Sequence, residues 1–231
     1  MNISLLMEVL FEDNHLIAIN KSVADIVQAD KTGDLSLEDK VKQYIKKKYN
    51  KPGKVFLGVA HRIDRPVSGI VLFARTSKGL TRLNQMFQDK EIKKTYWAIV
   101  RDKPPKDSDT LKHYLVRNTT KNKSFAYDRE TNDSKLAILA YRILDESEKY
   151  YLLEIDLQTG RHHQIRCQLS KIGCPIRGDL KYGYSRSLDN GGINLHARSI
   201  EFEHPVNHQL IKILADPPED KLWNFFKERN K

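Results

Sequence analysis

Cysteine is scarce in this sequence of 231 residues, which contains only Cys167 and Cys174. Two thiols cannot build a disulfide framework or a cysteine-rich metal cluster, so we expect both to be buried or idle. The sequence also has no run of eighteen apolar residues, and therefore no candidate membrane-spanning helix. Its first fourteen residues have one short apolar run and no basic leader, which argues against a signal peptide. We expect a protein of the cytoplasm.

Acidic residues are also in deficit, because 30 Asp and Glu face 40 Lys and Arg, which gives a net charge of +10 at pH 7. Such an excess suits a polyanionic partner, since each phosphate that is neutralised releases condensed counterions. Ordinary basic solubility explains the same charge, so the charge alone does not choose between them. Charged residues make up 30% of the chain and hydrophobic residues 39%, which is typical of a folded protein.

No internal repeat, low-complexity tract or linker interrupts the chain, which predicts a single domain over residues 1–231. Helices are expected at residues 36–48, 77–88, 160–173 and 219–229. Strands are expected twice within residues 7–20, and at 55–60, 70–74, 94–101, 110–117, 124–128, 135–145, 149–157, 194–203 and 210–215. Many strands and few helices predict an α+β fold with a mixed, mostly antiparallel sheet flanked by helices and loops.

The first predicted helix has two contrasting faces. Ser36 and Asp39 have the spacing of a capping box, and an apolar stripe follows them. The opposite face carries Lys46, Lys47 and Lys48. Such a lysine run is usually only a solvated helix face, and the alternative is a surface that binds the phosphates of a nucleic acid.

The segment HRIDRPVSG, residues 61–69, is the most informative part of the sequence. It places Asp64 in a polar loop between two apolar strands, where catalytic groups tend to lie. Arg62 and Arg65 could keep the carboxylate ionised and also meet phosphates. Pro66 and Gly69 favour a fixed, unusual loop shape. A surface aspartate in a salt-bridged turn remains the simpler interpretation of these residues alone.

Four separate segments resemble the RluA-type pseudouridine synthases. The family's core motif is His-Arg-hydrophobic-Asp, two variable residues, then Thr or Val, Ser and Gly, and residues 61–69 match it. Three further segments match in the expected order. They are Lys94-Thr95-Tyr96; residues 159–166 (TGRHHQIR) with Ile172-Gly173, Pro175-Ile176, Gly178-Asp179 and Tyr182-Gly183; and Leu195-His196-Ala197 with Phe202 and His204-Pro205. The resemblance covers roughly residues 8–217.

The resemblance implies a reaction and a set of roles. The N1–C1′ bond of a uridine breaks, the uracil turns, and C5 joins C1′, with neither a cofactor nor a metal required. Asp64 is implied as the catalytic carboxylate, held ionised by Arg161, and Tyr96 as the ring that stacks on the target uracil near its C5 proton. Arg62 is implied as the side chain that fills the gap left by the flipped base, with a phosphate contact as the alternative. Arg166 is expected to assist Arg161 or to contact a phosphate.

The expected partner is structured RNA, ribosomal or transfer, with no membrane, no obligate protein partner and a monomeric state. Three residues depart from the family pattern, namely Ser22, Asp25 and His162, and they put the RNA fit in doubt rather than the reaction. Because the resemblance begins near residue 8, we expect no N-terminal S4-type domain. Two rival functions remain. A glycoside hydrolase requires a second carboxylate, which the motif lacks, and a non-catalytic RNA-binding protein predicts loss of Asp64, Tyr96 or Arg161.

Overall fold

The computed structural model describes residues 7–30 and 33–230. The chain divides into two compact units, the first formed by Met1–Ile92 with Ser199–Asp216 and the second by Lys93–Arg198 with Pro217–Lys231. Both units combine helices with antiparallel strands, so the predicted α+β class is confirmed. The prediction that the chain is a single domain stays a prediction. The prediction about a leader falls partly on residues 1–6, which lie outside the described residues.

The first unit is built around a short, fully buried central strand. Its strands are β1 (Glu8–Glu12), β2 (Leu16–Lys21), β3 (Gly58–Val59), β4 (Ser68–Ala74), the second half of β10 (Leu195–Glu203) and β11 (Leu210–Leu214). Strand β2 pairs antiparallel with β1 and with β4, while β3 pairs with β4 and β11 with β10. All seven residues of β4 are buried. A continuous apolar strand of this kind must be covered on both faces, which explains why SGIVLFA carries no polar alternation.

Two helices belong to this unit. Helix α1 (Leu37–Lys48) begins after Ser36, whose side chain accepts a hydrogen bond from the Asp39 backbone N–H, as the capping-box spacing predicts. Helix α2 (Ser77–Gln88) has the predicted bounds and begins after Thr76, which caps it in the same way through Gly79. Leu83 and Met86 of α2 join the apolar core beneath the sheet.

The second unit is a sheet of longer strands. It contains β5 (Lys93–Val100), β6 (Ser108–Asn118), β7 (Lys123–Tyr127), β8 (Lys135–Glu146) and β9 (Tyr151–Leu157), with helices α3 (Gln164–Lys171) and α4 (Lys221–Arg229). These strands pair antiparallel in the order β5-β9-β8-β6-β7, so β7 is an edge strand. Most of them alternate buried and exposed side chains, as expected where one face of an antiparallel sheet meets solvent.

Two apolar clusters hold this sheet to its helices. Trp223 and Phe226 of α4 pack against Trp97, Ile99 and Leu152 on one face. On the other face, α3 and the 3-10 turn at Leu180–Tyr182 meet the outer strands.

The edge strand β7 is tied to these elements through its backbone. The Ser124 N–H donates to the Tyr182 hydroxyl at 2.8 Å, and the Cys167 thiol donates to the Ser124 carbonyl at 3.2 Å. Burial raises the pKa of Cys167 and of Cys174 to about 11, so both are thiols at neutral pH, in line with the predicted idle cysteines. No helix among the described residues is long and apolar enough to span a membrane.

Two predicted elements differ from the structure. The strand expected over residues 55–60 is reduced to Gly58–Val59, and the helix expected over residues 160–173 begins only at Gln164. The backbone of His163 is left-handed, with φ 53°, so an α-helix cannot continue through it in the N-terminal direction. The 3-10 turn at Leu180–Tyr182 was not predicted.

Candidate active site

The loop between β3 and β4 carries Asp64 in the first unit. Buried Ile63 and Val67 anchor it on either side of Asp64, which is half-buried. The Val67 N–H donates to the Asp64 carbonyl at 3.0 Å and closes a tight turn. Gly69 follows with φ 110°, a conformation that favours glycine, so the expected backbone role of this glycine is confirmed. The carboxylate therefore sits on a rigid turn at the start of a buried strand.

A buried lysine, Lys21, fastens this turn to the end of β2. Its side chain is only 1% exposed. Its Nζ donates to the carbonyl oxygens of Ser22 and Asp25 at 2.8 Å each, and to that of Arg65 at 3.1 Å. The Arg65 carbonyl also accepts from the Ala24 N–H at 3.1 Å. The segment 22–25, where the sequence departs from the family pattern, thus serves as the other wall of the turn that carries Asp64.

Lys21 also brings positive charge to this loop. Burial lowers its pKa to about 8, and the nearby carboxylates of Asp25 and Asp64 oppose that shift. At neutral pH the group is mostly an ammonium ion, and its attraction to Asp64 is mutual. Sequence reasoning did not single out Lys21. The available signal was a lysine at the end of the apolar strand LIAINK, because a lysine that such a strand buries needs specific partners.

His61 supports the same loop from its other end. Its Nε2 accepts the Leu72 N–H at 2.9 Å, and its ring lies 4.7 Å from the ring of Phe87. An acceptor at Nε2 places the proton of the neutral ring on Nδ1. These contacts with β4 and α2 suit a residue that holds the loop rather than one that transfers protons.

Arg62 and Arg65 point their guanidinium groups outwards. Both residues are exposed; Arg62 donates to the Gln28 side chain at 3.2 Å, and Arg65 meets Asp34 at 2.8 Å. Ion pairs at such exposed positions are weak and exchange readily. Both arginines can therefore turn towards a phosphate or a base, and their predicted roles stay predictions.

The three lysines at the end of α1 are not equivalent. Lys46 and Lys47 are exposed, as a phosphate-binding surface requires, and Lys46 lines a cavity of about 250 Å³ together with Lys42, Lys54 and Gly53.

Lys48 instead forms an ion pair with the buried Glu12 at 2.6 Å and donates to the Tyr44 hydroxyl at 2.9 Å. Burial opposes the ionisation of Glu12, but hydrogen bonds from Lys48, Tyr49 and Tyr44 outweigh it and hold the pKa of this carboxyl below its ordinary value. Lys48 therefore contributes to the fold, and its side chain is still 45% exposed. The prediction that it binds RNA stays a prediction.

In the second unit, β5 carries Tyr96 with its ring buried to 8% exposure. Tyr96 lies opposite Ile155 of β9 and on the same face as Lys94, two residues earlier. Burial lowers the pKa of Lys94, with Asp156 opposing the shift. Its Nζ lies 3.8 Å from the position that a Cβ on Gly160 would occupy. The motif Lys94-Thr95-Tyr96 is therefore next to the Thr159–Arg161 turn.

That turn presents Arg161 on a frame built by Gln164. The Gln164 Oε1 accepts from the Thr159 hydroxyl at 2.7 Å and from the Arg161 N–H at 3.0 Å, and its Nε2 donates to the Ile138 carbonyl at 3.1 Å. The exposed Arg161 guanidinium donates through Nε to the Leu136 carbonyl at 3.1 Å. This network holds the Thr159–Arg161 turn in front of α3, and the left-handed backbone of His163 separates that turn from the helix.

Arg166 does not have the exposed position expected of a phosphate contact, and the expectation that it assists Arg161 stays a prediction. It is only 5% exposed and makes a bidentate ion pair with Asp179, with Nε–Oδ2 at 2.7 Å and Nη2–Oδ1 at 2.9 Å. A guanidinium that is buried and engaged by a carboxylate on two nitrogens is not available to a phosphate. The structure instead gives Arg166 the role of holding the 3-10 turn against α3.

The histidines do not form a metal centre in the part of the chain that the structure describes. No group of three or more His, Cys, Asp or Glu side chains there could hold a metal ion. His162 stacks on His163 at 3.8 Å, and its Nδ1 lies 2.9 Å from the Ser124 hydroxyl. These contacts are those of side chains that shape the Thr159–Gln164 turn.

The three predicted catalytic residues thus lie in two separate structural units. Asp64 lies on the loop of the first unit, and Tyr96 and Arg161 lie together on the second unit. That Arg161 pairs with Asp64 stays a prediction.

Comparison with known proteins identifies a family and several relatives. Residues 15–171 match the family model described as RNA pseudouridylate synthase. The chain is 32% identical over 211 residues to the ribosomal large subunit pseudouridine synthase C of Rickettsia prowazekii, covering 90% of this chain and 67% of that protein. It is 30% identical to the tRNA pseudouridine synthase C of Pectobacterium carotovorum, covering 91% of this chain and 59% of that protein. The chain therefore spans between about half and two thirds of the length of its curated relatives.

A solved structure is similar in fold. The protein described as human RNA pseudouridylate synthase domain containing 4 superposes with a TM-score of 0.78 and 22% sequence identity, covering 96% of this chain and 92% of that one. At this identity the likeness concerns the fold.

Proposed function

Because the chain belongs to the RNA pseudouridylate synthase family, we propose that it isomerises specific uridines of structured RNA to pseudouridine, with Asp64 as the catalytic carboxylate. The observation that carries this proposal is the loop of Asp64. A half-buried carboxylate stands on a turn braced by the buried Lys21, whose three hydrogen bonds fix the backbone on both sides of the turn. A surface aspartate without a catalytic role has no need of such a frame.

The reaction requires that the N1–C1′ bond break, that C5 join C1′ and that C5 lose its proton. Asp64 acts on the sugar or the base, either by covalent attack or by assisting elimination to a glycal, and it must be ionised to do either. The Lys21 ammonium and the predicted partner Arg161 favour that ionised form, because opposite charges nearby offset the loss of water around a carboxylate.

The buried ring of Tyr96 offers a flat face to the uracil, and its neighbour Lys94 adds positive charge at the same end of β5. Arg62, exposed on the Asp64 loop, enters the stack where the uridine has left it. Base flipping costs a few kcal/mol, and an inserted side chain offsets part of that cost.

The substrate is RNA with an unpaired or easily unpaired uridine, in ribosomal or transfer RNA, as the names of the relatives suggest. Lys46 and Lys47 on α1 contribute to affinity through phosphates. We place the reaction in the cytoplasm, with the protein as a monomer that has no obligate protein partner.

The decisive variant is Asp64→Asn, which keeps the shape of the side chain and removes its charge. We expect pseudouridine formation to fall below detection, by at least about a thousandfold, because the charged oxygen starts the reaction. Pseudouridine mapping of total RNA incubated with each protein measures this, and Asp34→Asn, an exposed aspartate paired with Arg65, is the matched control.

The same variant separates the two candidate functions. A non-catalytic RNA-binding protein forms no pseudouridine in either form, and Asp64→Asn then leaves all activities unchanged. Full turnover in Asp64→Asn would overturn the assignment of Asp64.

A further inference from the structure

An exposed aromatic surface lies on the outer strands of the second unit. Phe125 and Tyr127 of β7 are 37% and 43% exposed, and Leu136 of β8 is 41% exposed. The strand register places Tyr114 of β6 directly between Tyr127 and Leu136, so these three side chains form one row across three strands. We call Tyr114, Phe125, Tyr127 and Leu136 the aromatic face.

Among the residues that the structure describes, the helices leave the aromatic face uncovered. Residues of the opposite face, such as Leu115 and Ala137, pack against the Cys167 side of α3. Helix α4 covers the aromatic side of the sheet, but only over β5 and β9, where it meets Trp97 and Leu152. Large apolar side chains grouped on an exposed sheet face mark a binding surface more often than isolated ones do.

Positive charge predominates along β6 and β7. Residues 110–127 contain four Lys and Arg side chains and no Asp or Glu. Lys112 shares the face by its register opposite Ile138. The Lys123 ammonium lies at the outer edge of β7, 5.8 Å from the centre of the Phe125 ring and 4.9 Å from that of Tyr182 on the α3 side. The carboxylate that follows the strand, Asp128, is paired with Lys171 at 3.1 Å. Aromatic rings interleaved with cations on an open sheet suit a chain of stacked bases and phosphates.

The aromatic face also leads to the candidate site. Its inner end is Leu136, whose carbonyl accepts the hydrogen bond from Arg161 Nε at 3.1 Å. Tyr96 lies on the opposite face of the sheet, the side of α3. A strand of RNA that reaches Arg161 can therefore continue over Tyr114 to Tyr127 only by crossing from one face to the other at this end of β8.

We propose that the aromatic face binds an unpaired segment of RNA, whose bases stack on Phe125 and Tyr127 while its phosphates meet Lys112 and Lys123. This inference rests on the proposed function for its choice of RNA as the partner. It adds a second contact surface to that function and makes the enzyme prefer a target whose flanking nucleotides are single-stranded.

The test measures binding of the full chain to a labelled twelve-nucleotide oligocytidine and to a duplex RNA of the same length. Oligocytidine contains no uridine, so its binding does not depend on the reaction. We expect the double variant Phe125→Ala with Tyr127→Ala to bind the single strand about tenfold more weakly, since each stacked base contributes strongly, and to bind the duplex within twofold of the unmodified protein.

Phe225→Ala is the matched control, because Phe225 is an aromatic residue of the same unit with 40% exposure. We expect it to bind both RNAs as the unmodified protein does. Lys112→Gln is a second variant that leaves the apolar surface intact. It should weaken single-strand binding and reduce the salt dependence of log K by about 0.7, as expected for one lost phosphate contact.

Unchanged oligocytidine binding in the double variant, with its melting temperature preserved, would show that the surface serves another partner and overturn the inference. An equal loss in Phe225→Ala would overturn it as well. The pseudouridine assay on the same proteins tests the proposed reaction independently of RNA binding. Product formed without any role for the aromatic face refutes only this inference, whereas oligocytidine binding as predicted without product from any RNA refutes only the proposed reaction.

Discussion

The two units each bury a cation, and they hold it in different ways. In the first unit, Lys21 donates to three backbone carbonyls and lies in the field of Asp25 and Asp64. In the second unit, Arg166 is matched on two nitrogens by the carboxylate of Asp179. Arginine stays charged at every pH at which proteins fold, whereas a buried lysine changes its charge readily. The charge of Lys21 therefore changes with pH, whereas the Arg166–Asp179 ion pair keeps its charged arginine at every pH at which the protein folds.

The largest expected effect comes from breaking the permanent pair. Arg166→Met leaves the Asp179 carboxylate buried without its partner, so we expect the free energy of unfolding to fall by about 4 kcal/mol. Urea denaturation of the variant measures this. The double variant Arg166→Met with Asp179→Leu should regain a large part of the loss, and a double variant as unstable as the single one would contradict the view that the unpaired charge causes it.

Removing the other cation should have a smaller effect on stability. Lys21→Met keeps the length of the side chain but leaves three carbonyl oxygens without their donor, and we expect a loss of about 3 kcal/mol at pH 7. Because the lost bonds fix the Asp64 turn, kcat should also fall. The exposed Lys51→Met is the control, with no change expected in either quantity. A stable variant with normal kcat would show that the turn does not need this brace.

The smallest expected effect is the pH dependence of that brace. Burial depresses the pKa of Lys21 from 10.5 to about 8, so between these values the unfolded chain binds more protons than the folded one. Stability from this group therefore rises with pH, by about 2 kcal/mol between pH 8 and pH 10. The difference in unfolding free energy between the unmodified protein and Lys21→Met should widen by that amount over this range. A constant difference would mean that Lys21 keeps an ordinary pKa.

Much of the fold follows from local signals in the sequence. The Ser36 cap and the apolar stripe after it fix α1, and the periodic Leu80, Leu83 and Phe87 fix α2, because both helices are formed by contacts along one stretch of chain. The alternating strands of the second unit were predicted for the same reason. The start of α3 was not, since it depends on a Gln164 side chain that folds back onto Thr159 and Arg161.

In the candidate site, too, some residues could be predicted from the sequence and others could not. Asp64, Tyr96 and Arg161 could be named because their motifs resemble those of a family. The ion pairs that Arg166 and Lys48 form could not be predicted from the sequence. A basic residue near a motif looks alike whether it faces solvent or a buried carboxylate, and the partners, Asp179 and Glu12, lie 13 and 36 residues away. Lys21 was overlooked because its partners are backbone oxygens, which leave no trace in residue identities.

The way in which β7 ends the sheet of the second unit has a consequence for the protein in a crowded cell. An edge strand normally offers its unpaired N–H and C=O groups to any other extended chain, which is a route to aggregation. Here the outward N–H and C=O of Ser124 are occupied by the Tyr182 hydroxyl and the Cys167 thiol. At Ser124 the backbone of β7 is therefore closed to a foreign strand, while the neighbouring side chains stay apolar and open to solvent.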